Sequence, residues 1–398
     1  MIFKTCLVAA LLCAASALIE NIDHPGRIPG EYLITLREAP SDVQALRESY
    51  VQSAADKIRS LAPGIQVLNQ FDALKTPILH LKADDLTISQ AFNIPEVVNI
   101  EADVYEQRIE QCSSQSSRST YWGLSRISSR NAPNYNSASY SYRSTGGSGV
   151  RVYVLDTGIR TSHQDFSGGR AVFGFNAVGG NNDDRNGHGT HCAGTVLGGN
   201  SGVSKRAIAV AVKVLGDSGS GSTSGIVNGV NWAISDVRNR GRRGVISMSL
   251  GGGRSTAMDS AVNSAHAANV PTIVAAGNEN QNACNVSPAR ASNAITVGST
   301  DSSERLSSFS NWGNCVNILA PGSNIRSASS SSNTGYRNLS GTSMACPHVA
   351  GVAATYLASN PSASANSVRS FLLNQATRNV INLRGTSGTP NLMLYSTC

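Results

Sequence analysis

The sequence predicts an α/β protein, a mostly parallel sheet with helices on both faces, preceded by a small split α+β domain. Three observations carry this. Apolar strand candidates at 150–155, 208–215, 245–250, 270–276 and 294–298 alternate with helical patterns at 188–198, 225–238, 257–269, 343–358 and 366–376. Such alternation implies parallel strands joined by helical crossovers, with any site at the carboxyl ends of strands. Charge changes sharply near residue 112: the part up to it holds 15 acidic and 9 basic residues, net −6, and the rest 10 acidic and 23 basic, net +13. The 38 glycines and a charged fraction of only 14% suit tight loops over a small-residue core. About 280 residues follow the charge change, enough for one sizeable core.

Taken in order, residues 1–17 read as a secretory signal peptide: Lys4 precedes an apolar run from Cys6 to Ala15, and Ala15, Ser16 and Ala17 form a small-residue cleavage site. An exported, extracellular protein is therefore expected, and nothing later is apolar enough over a sufficient length to span a bilayer. Removal of Cys6 and Cys13 leaves six cysteines in an oxidising compartment. Residues 18–112 form the acidic domain. A helix is expected over 43–61, with Val43, Leu46, Tyr50, Ala54 and Ile58 on one face, and strands at 31–36, 77–81 and 97–103. The Ser-rich stretch 113–120 reads as a processing linker, and 121–398 as the second domain.

Three segments of the second domain carry chemistry. SGTSMACPH (340–348) places Ser343 where a Gly-permitted turn meets an apolar helix, so that backbone N–H groups favour a negative charge beside it. VRVYVLDTG (150–158) ends a buried strand at Asp156, and NGHGTHCAGTVLGG (186–199) opens a short helix at His188. A Ser hydroxyl needs a base, His titrates in the right range, and a buried carboxylate fixes the imidazole tautomer. His191, three residues along the same helix, competes with His188 on these grounds. Asn278, ending the apolar run 270–278, reads alone as a turn residue.

Other classes fit less well. HGTH lacks the spacing and glutamate of a zinc-peptidase HExxH, and GTSMA lacks the GxSxG elbow. The Arg238, Arg240, Arg242 and Arg243 patch follows a helix without a nucleic-acid motif, so it reads as a solvated face and no specific nucleic-acid partner is expected.

VYVLDTGI, HGTHCAGT and GTSMACPHVAG, in the order Asp, His, Ser, closely resemble the subtilisin-like serine proteases (subtilases, peptidase family S8), and their proteinase K-like branch most. The resemblance implies a subtilisin-like fold and a triad of Asp156, His188 and Ser343, with His191 in support. It implies an oxyanion hole of the Asn278 side chain and the Ser343 backbone. The primary pocket would lie between Ser249, Leu250 and Gly251 on one side and Ala275, Ala276 and Gly277 on the other. These walls carry no charge and little bulk, so a large apolar or aromatic residue is expected before the scissile bond of protein and peptide substrates. Residues 30–103 resemble the ferredoxin-like inhibitor I9 propeptide, which implies a chaperone and inhibitor supplied by the chain itself. A Cys284–Cys315 disulfide is implied as well, whereas the states of Cys112, Cys192, Cys346 and Cys398 stay open. No cofactor for catalysis is expected, and a monomer is. Structural calcium is implied by the family, although Asn317 stands where relatives supply Asp, and Asp183 and Asp184 read as solvated acids. The alternative function is a catalytically inactive subtilase-like binding protein.

Overall fold

In the first unit, residues 1–108, alternation buries Tyr32, Ile34 and Leu36 along β1 (Arg27–Leu36). The computed structural model describes residues 19–22, 27–41, 43–104, 112–241, 243–396 and 398. The expected signal peptide, residues 1–17, lies outside them, as do residues 105–111 before the expected processing linker. After β1 come α1 (Gln44–Arg59), β2 (Gln66–Phe71), β3 (Ile78–Lys82), the short α2 (Asp85–Ser89) and β4 (Val97–Val104). The strands form an antiparallel sheet in the order β2-β3-β1-β4, so β3 separates the two strands that α1 connects. The buried stripe of α1 is Val51, Ala54, Ala55 and Ile58. Val43 and Leu46, expected on that face, are exposed, because the packed stripe begins two turns into the helical pattern.

The second unit, residues 109–398, opens with β5 (Cys112–Ser116), α3 (Trp122–Ile127) and β6 (Ser139–Arg143). Residues 113–116 of the expected linker, with Cys112 before them, form a strand that pairs antiparallel with Ser139–Arg143, and Cys112 is disulfide-bonded to Cys398. Alternating serines gave no apolar signal for this strand.

The main sheet follows: β7 (Arg151–Asp156), β8 (Ala171–Asn176), α4 (His188–Leu197), β9 (Ile208–Lys213), α5 (Thr223–Arg240), β10 (Gly244–Met248), α6 (Thr256–Ala267), β11 (Thr272–Ala275), β12 (Ile295–Thr300) and β13 (Ile318–Pro321). The hairpin β14 (Ile325–Ala328) and β15 (Tyr336–Leu339), α7 (Thr342–Ser359), α8 (Ala365–Gln375), β16 (Thr377–Arg378) and β17 (Leu392–Met393) complete it. The strand order is β16-β17-β13-β12-β11-β10-β7-β9-β8, parallel except for β16 against β17. Ser222, Ser255 and Ser364 start α5, α6 and α8 by accepting a bond from the backbone N–H three residues on, and Gly241 ends α5 in the left-handed region.

Helices α4, α7 and α8 pack one face of the sheet and α5 and α6 the other, in two apolar clusters. The first strand of the sheet, β7, lies centrally, with β9 on one side and β10 on the other, so chain direction across the sheet reverses there. That switch point opens a crevice at the carboxyl ends of β7 and β10.

Two disulfides fix the second unit, Cys112–Cys398 across 286 residues and Cys284–Cys315 across 31. Loop-closure entropy makes the longer one the greater stabiliser, about 5 to 6 kcal/mol against about 4. The Cys112→Ser, Cys398→Ser variant is therefore expected to unfold at lower denaturant than Cys284→Ser, Cys315→Ser, as equilibrium melts of both will show.

Candidate active site

Asp156 is the last residue of β7 and has no solvent exposure. A carboxylate there needs partners. Oδ1 accepts the Thr157 N–H at 2.7 Å, and His188 Nδ1 lies 2.8 Å from Oδ1 and 3.0 Å from Oδ2. His188 is the first residue of α4, and two glycines let that helix reach the strand end. Gly187, its N-cap, has φ of 93°, and a Cβ on Gly189 would stand 2.1 Å from the Gly158 carbonyl oxygen.

Asp184, expected as a solvated acid, is buried and holds this turn together. It accepts from Thr157 Oγ1 at 2.8 Å, Gly187 N at 2.7 Å, Thr190 N at 2.8 Å and Thr190 Oγ1 at 2.6 Å. Its neighbours in sequence, Asp183 and Arg185, are exposed, so composition gave no hint of the difference.

The two histidines separate in space. The Asp156 charge holds His188 well above the ordinary imidazole value. His191 faces the hairpin instead: its Nε2 lies 2.9 Å from the Ile325 carbonyl, and burial lowers it to about 3, leaving it neutral.

Ser343 is the second residue of α7, behind the Gly341 N-cap. Pro347 has no N–H for the Ser343 carbonyl four residues back. The Ser249 hydroxyl donates to that carbonyl at 2.9 Å, and the Cys192 thiol donates to it at 3.4 Å. The Ser343 backbone is thus tied to the β10 end and to α4. Its hydroxyl donates to the Ser249 carbonyl at 3.3 Å, while the bond at His188 Nδ1 leaves Nε2 as the nitrogen available to a serine proton. Asn278 Oδ1 accepts from Thr342 N at 2.8 Å and Oγ1 at 3.0 Å, which turns the amide nitrogen outward. A Cβ on Gly341 would lie 3.6 Å from both Asn278 Nδ2 and Ser343 N, so the two donors border one space.

Beside them lies a cleft of about 360 Å³. Leu250, Gly251, Ala275 and Gly277 line it with Asn278 and Ser343, whereas Ser249 and Ala276 are buried behind it. The lining also includes Glu279, which sequence reasoning missed although it follows Asn278 directly; Asn311 Nδ2 donates to its Oε2 at 2.7 Å. One wall therefore carries a charge. Burial raises the Cys192 thiol, and pushes Cys346 up to about 12, so neither is a ready thiolate.

The residues do not fit calcium at Asn317: its side-chain oxygen accepts the Thr296 N–H at 2.8 Å. Asp184 likewise has its lone pairs committed to the turn.

A carboxylate paired with an imidazole, and a helix-start hydroxyl at the same crevice of a parallel sheet, are the groups of an Asp–His–Ser hydrolase. The Subtilase family model matches residues 147–391, and the chain belongs to that family as a serine endopeptidase. It is 43% identical to the "Alkaline proteinase" of Hapsidospora chrysogena, covering 93% of this chain and 92% of that one. Identity is 41% to the "Extracellular serine proteinase" of a Thermus species, over 94% and 92%. The crystal structure of a cold adapted subtilisin-like serine proteinase matches with a TM-score of 0.64 and 47% identity, over 70% of this chain and 98% of that one.

Two outcomes follow. His188 must be neutral to act as base, so its raised pKa puts the acid limb of kcat/KM above the ordinary value of about 6.5. Asp156→Asn removes the charge that raises it: the limb moves to lower pH while kcat falls about 10⁴-fold, as pH–rate profiles will show. Asp184→Ala leaves four donors without their acceptor and is expected to cost about 3 kcal/mol or more in denaturant melts, with a lowered kcat.

Proposed function

We propose that the chain is an exported zymogen of the proteinase K-like branch, whose second unit hydrolyses protein and peptide substrates through an acyl-enzyme and whose first unit is its own propeptide. The observation that carries the peptidase chemistry is the Asp156–His188 pair beside a hydroxyl bordered by two oxyanion donors. His188 takes the Ser343 proton as the hydroxyl leaves the Ser249 carbonyl and attacks. Asn278 Nδ2 and the Ser343 N–H stabilise the oxyanion, His188 protonates the leaving amine, and water completes the cycle.

Specificity is broad. The small walls favour a large apolar or aromatic residue before the scissile bond, and the Glu279 carboxylate disfavours an acidic one. The strand order of the first unit, with a split β1-α1-β2 connection, supports a ferredoxin-like propeptide of the inhibitor I9 type. It would serve as chaperone and inhibitor, and the opposed charges favour association with the second unit. The cut falls on the N-terminal side of Cys112, since Cys112–Ser116 is built into the catalytic unit. The mature enzyme is a monomer. The signal-like N-terminus supports secretion, and no helix among the described residues is long and apolar enough to cross a membrane.

Ser343→Ala is expected to fold, to lose peptide hydrolysis and fluorophosphonate labelling, and to accumulate as an uncut precursor in a protease-free system. Wild type should shed a fragment that inhibits when added back. Normal removal of the first unit from the variant rules out self-processing; wild type that neither labels nor cleaves marks an inactive binding protein. Profiling on a peptide library should give cleavage mainly after large apolar residues, and cleavage mainly after Lys or Arg overturns the pocket assignment.

A further inference from the structure

A second cleft, about 490 Å³, shares no lining residue with the first and is bordered by the 183–186 loop that delivers His188 to α4. Its lining is polar: Ser, Thr and Asn side chains, three guanidinium groups and two carboxylates. Buried Asp184 has both oxygens committed to the α4 turn, so Asp183 alone is left to offset Arg160, Arg185 and Arg337.

The arginines differ in what they have left to give. Arg160 is fixed by Nε to Asn333 Oδ1 at 2.7 Å and by Nη1 to the Ser330 carbonyl at 2.9 Å. Arg337 passes beside the helix start, where a Cβ on Gly187 would stand 2.9 Å from its Nη2, and its buried Nε has no hydrogen-bond partner. Arg185 is exposed and donates to no group among the described residues. Two arginines with uncommitted donors therefore border a polar cleft, a setting that suits a carboxylate and disfavours an apolar side chain.

Position narrows the ligand. The first cleft takes the side chain on the acyl side, beside Ser343 and Asn278. His188 hands its proton to the leaving amine, so the departing segment passes the imidazole, next to the loop that forms the second cleft. An extended chain advances about 3.3 Å per residue, which brings the first three residues of that segment within reach. We propose that this cleft is a subsite for an acidic side chain, Asp or Glu, within three residues after the scissile bond, paired with Arg185 and Arg337. The proposal rests on the peptidase reading above and adds a substrate class to it.

The test uses quenched fluorescent peptides that differ only in Glu, Gln or Lys at each of three positions on either side of one cleaved bond. Mature wild type, Arg185→Gln and the Arg185→Gln, Arg337→Gln variant are compared by the Glu-to-Gln ratio of kcat/KM, which cancels any general loss of activity. Dissociation constants of the same peptides are measured on Ser343→Ala and on Ser343→Ala carrying Arg185→Gln, each freed of its first unit by added wild-type enzyme that is then removed, which reads the subsite without turnover. Wild type is expected to favour Glu over Gln roughly three- to tenfold at one position after the bond, with Lys below Gln and the preference shrinking as salt rises. The ratio should fall in Arg185→Gln and approach one in the double variant. Ratios near one at all three positions after the bond, discrimination confined to positions before it, or a ratio unchanged in both variants each overturn the proposal. Should no peptide be cleaved, the peptidase reading fails, and the proposal that rests on it falls with it.

Discussion

A carboxylate without access to water must be paired, and the Asp156–His188 contact is the pairing on which the active edge of this enzyme depends. Asp156 is fixed at the end of a central parallel strand, so the partner has to be brought to it. That requires the start of α4 to approach the strand end more closely than a side chain on Gly189 would allow. It also requires the turn before α4 to be held from within. Asp184 does this by taking a hydroxyl from beside Asp156 and two backbone N–H groups from the helix start, so one buried acid positions the partner of another.

Ser343 is governed by a complementary constraint. A proline four residues after Ser343 removes the helical donor for its carbonyl, and a buried carbonyl seeks another. Ser249, beyond the end of β10, supplies it, with Cys192 of α4 beside it. The β10 end, α4 and α7 are thereby joined through the backbone of Ser343. Ser249 acts from behind the substrate cleft, and its own carbonyl also receives the resting Ser343 hydroxyl.

Composition and architecture agree about where stability comes from. Small side chains let α4 and α7 pack closely on the sheet, with Ala345, Ala350, Ala353 and Ala354 fully buried in α7. Covalent closure then joins β5 to the last residue of the chain. The acidic first unit has its own core, built on Tyr32, Ile34, Leu79, Leu81 and Ile100, distinct from the two apolar clusters of the second.

The strands β7, β9, β10, β11 and β12 and helices α4 to α8 were legible because each repeats an apolar period long enough to rise above its neighbours. The same local logic marked Asp156, His188 and Ser343, since each sits at the boundary of such an element. Segments whose pattern is set by their partners escaped it. These include β5, a serine-rich strand that exists through pairing with Ser139–Arg143, the edge strand β8, and the two-residue strands β16 and β17. So did every property that depends on what faces a side chain. His188 and His191 have similar local sequence, and only the approach of β7 to one and of the hairpin to the other gives the first a pKa raised by Asp156 and makes the second a neutral donor. Asp183 and Asp184 are the same residue type side by side, yet one is exposed and the other enclosed by four donors. Sequence by itself determined which groups of this protein have the chemistry and at which element ends they stand. Tertiary structure decided which of them meet, because burial, charge and hydrogen-bond partners come from segments separated in sequence, by 32 residues for Asp156 and His188 and by 134 for His191 and Ile325.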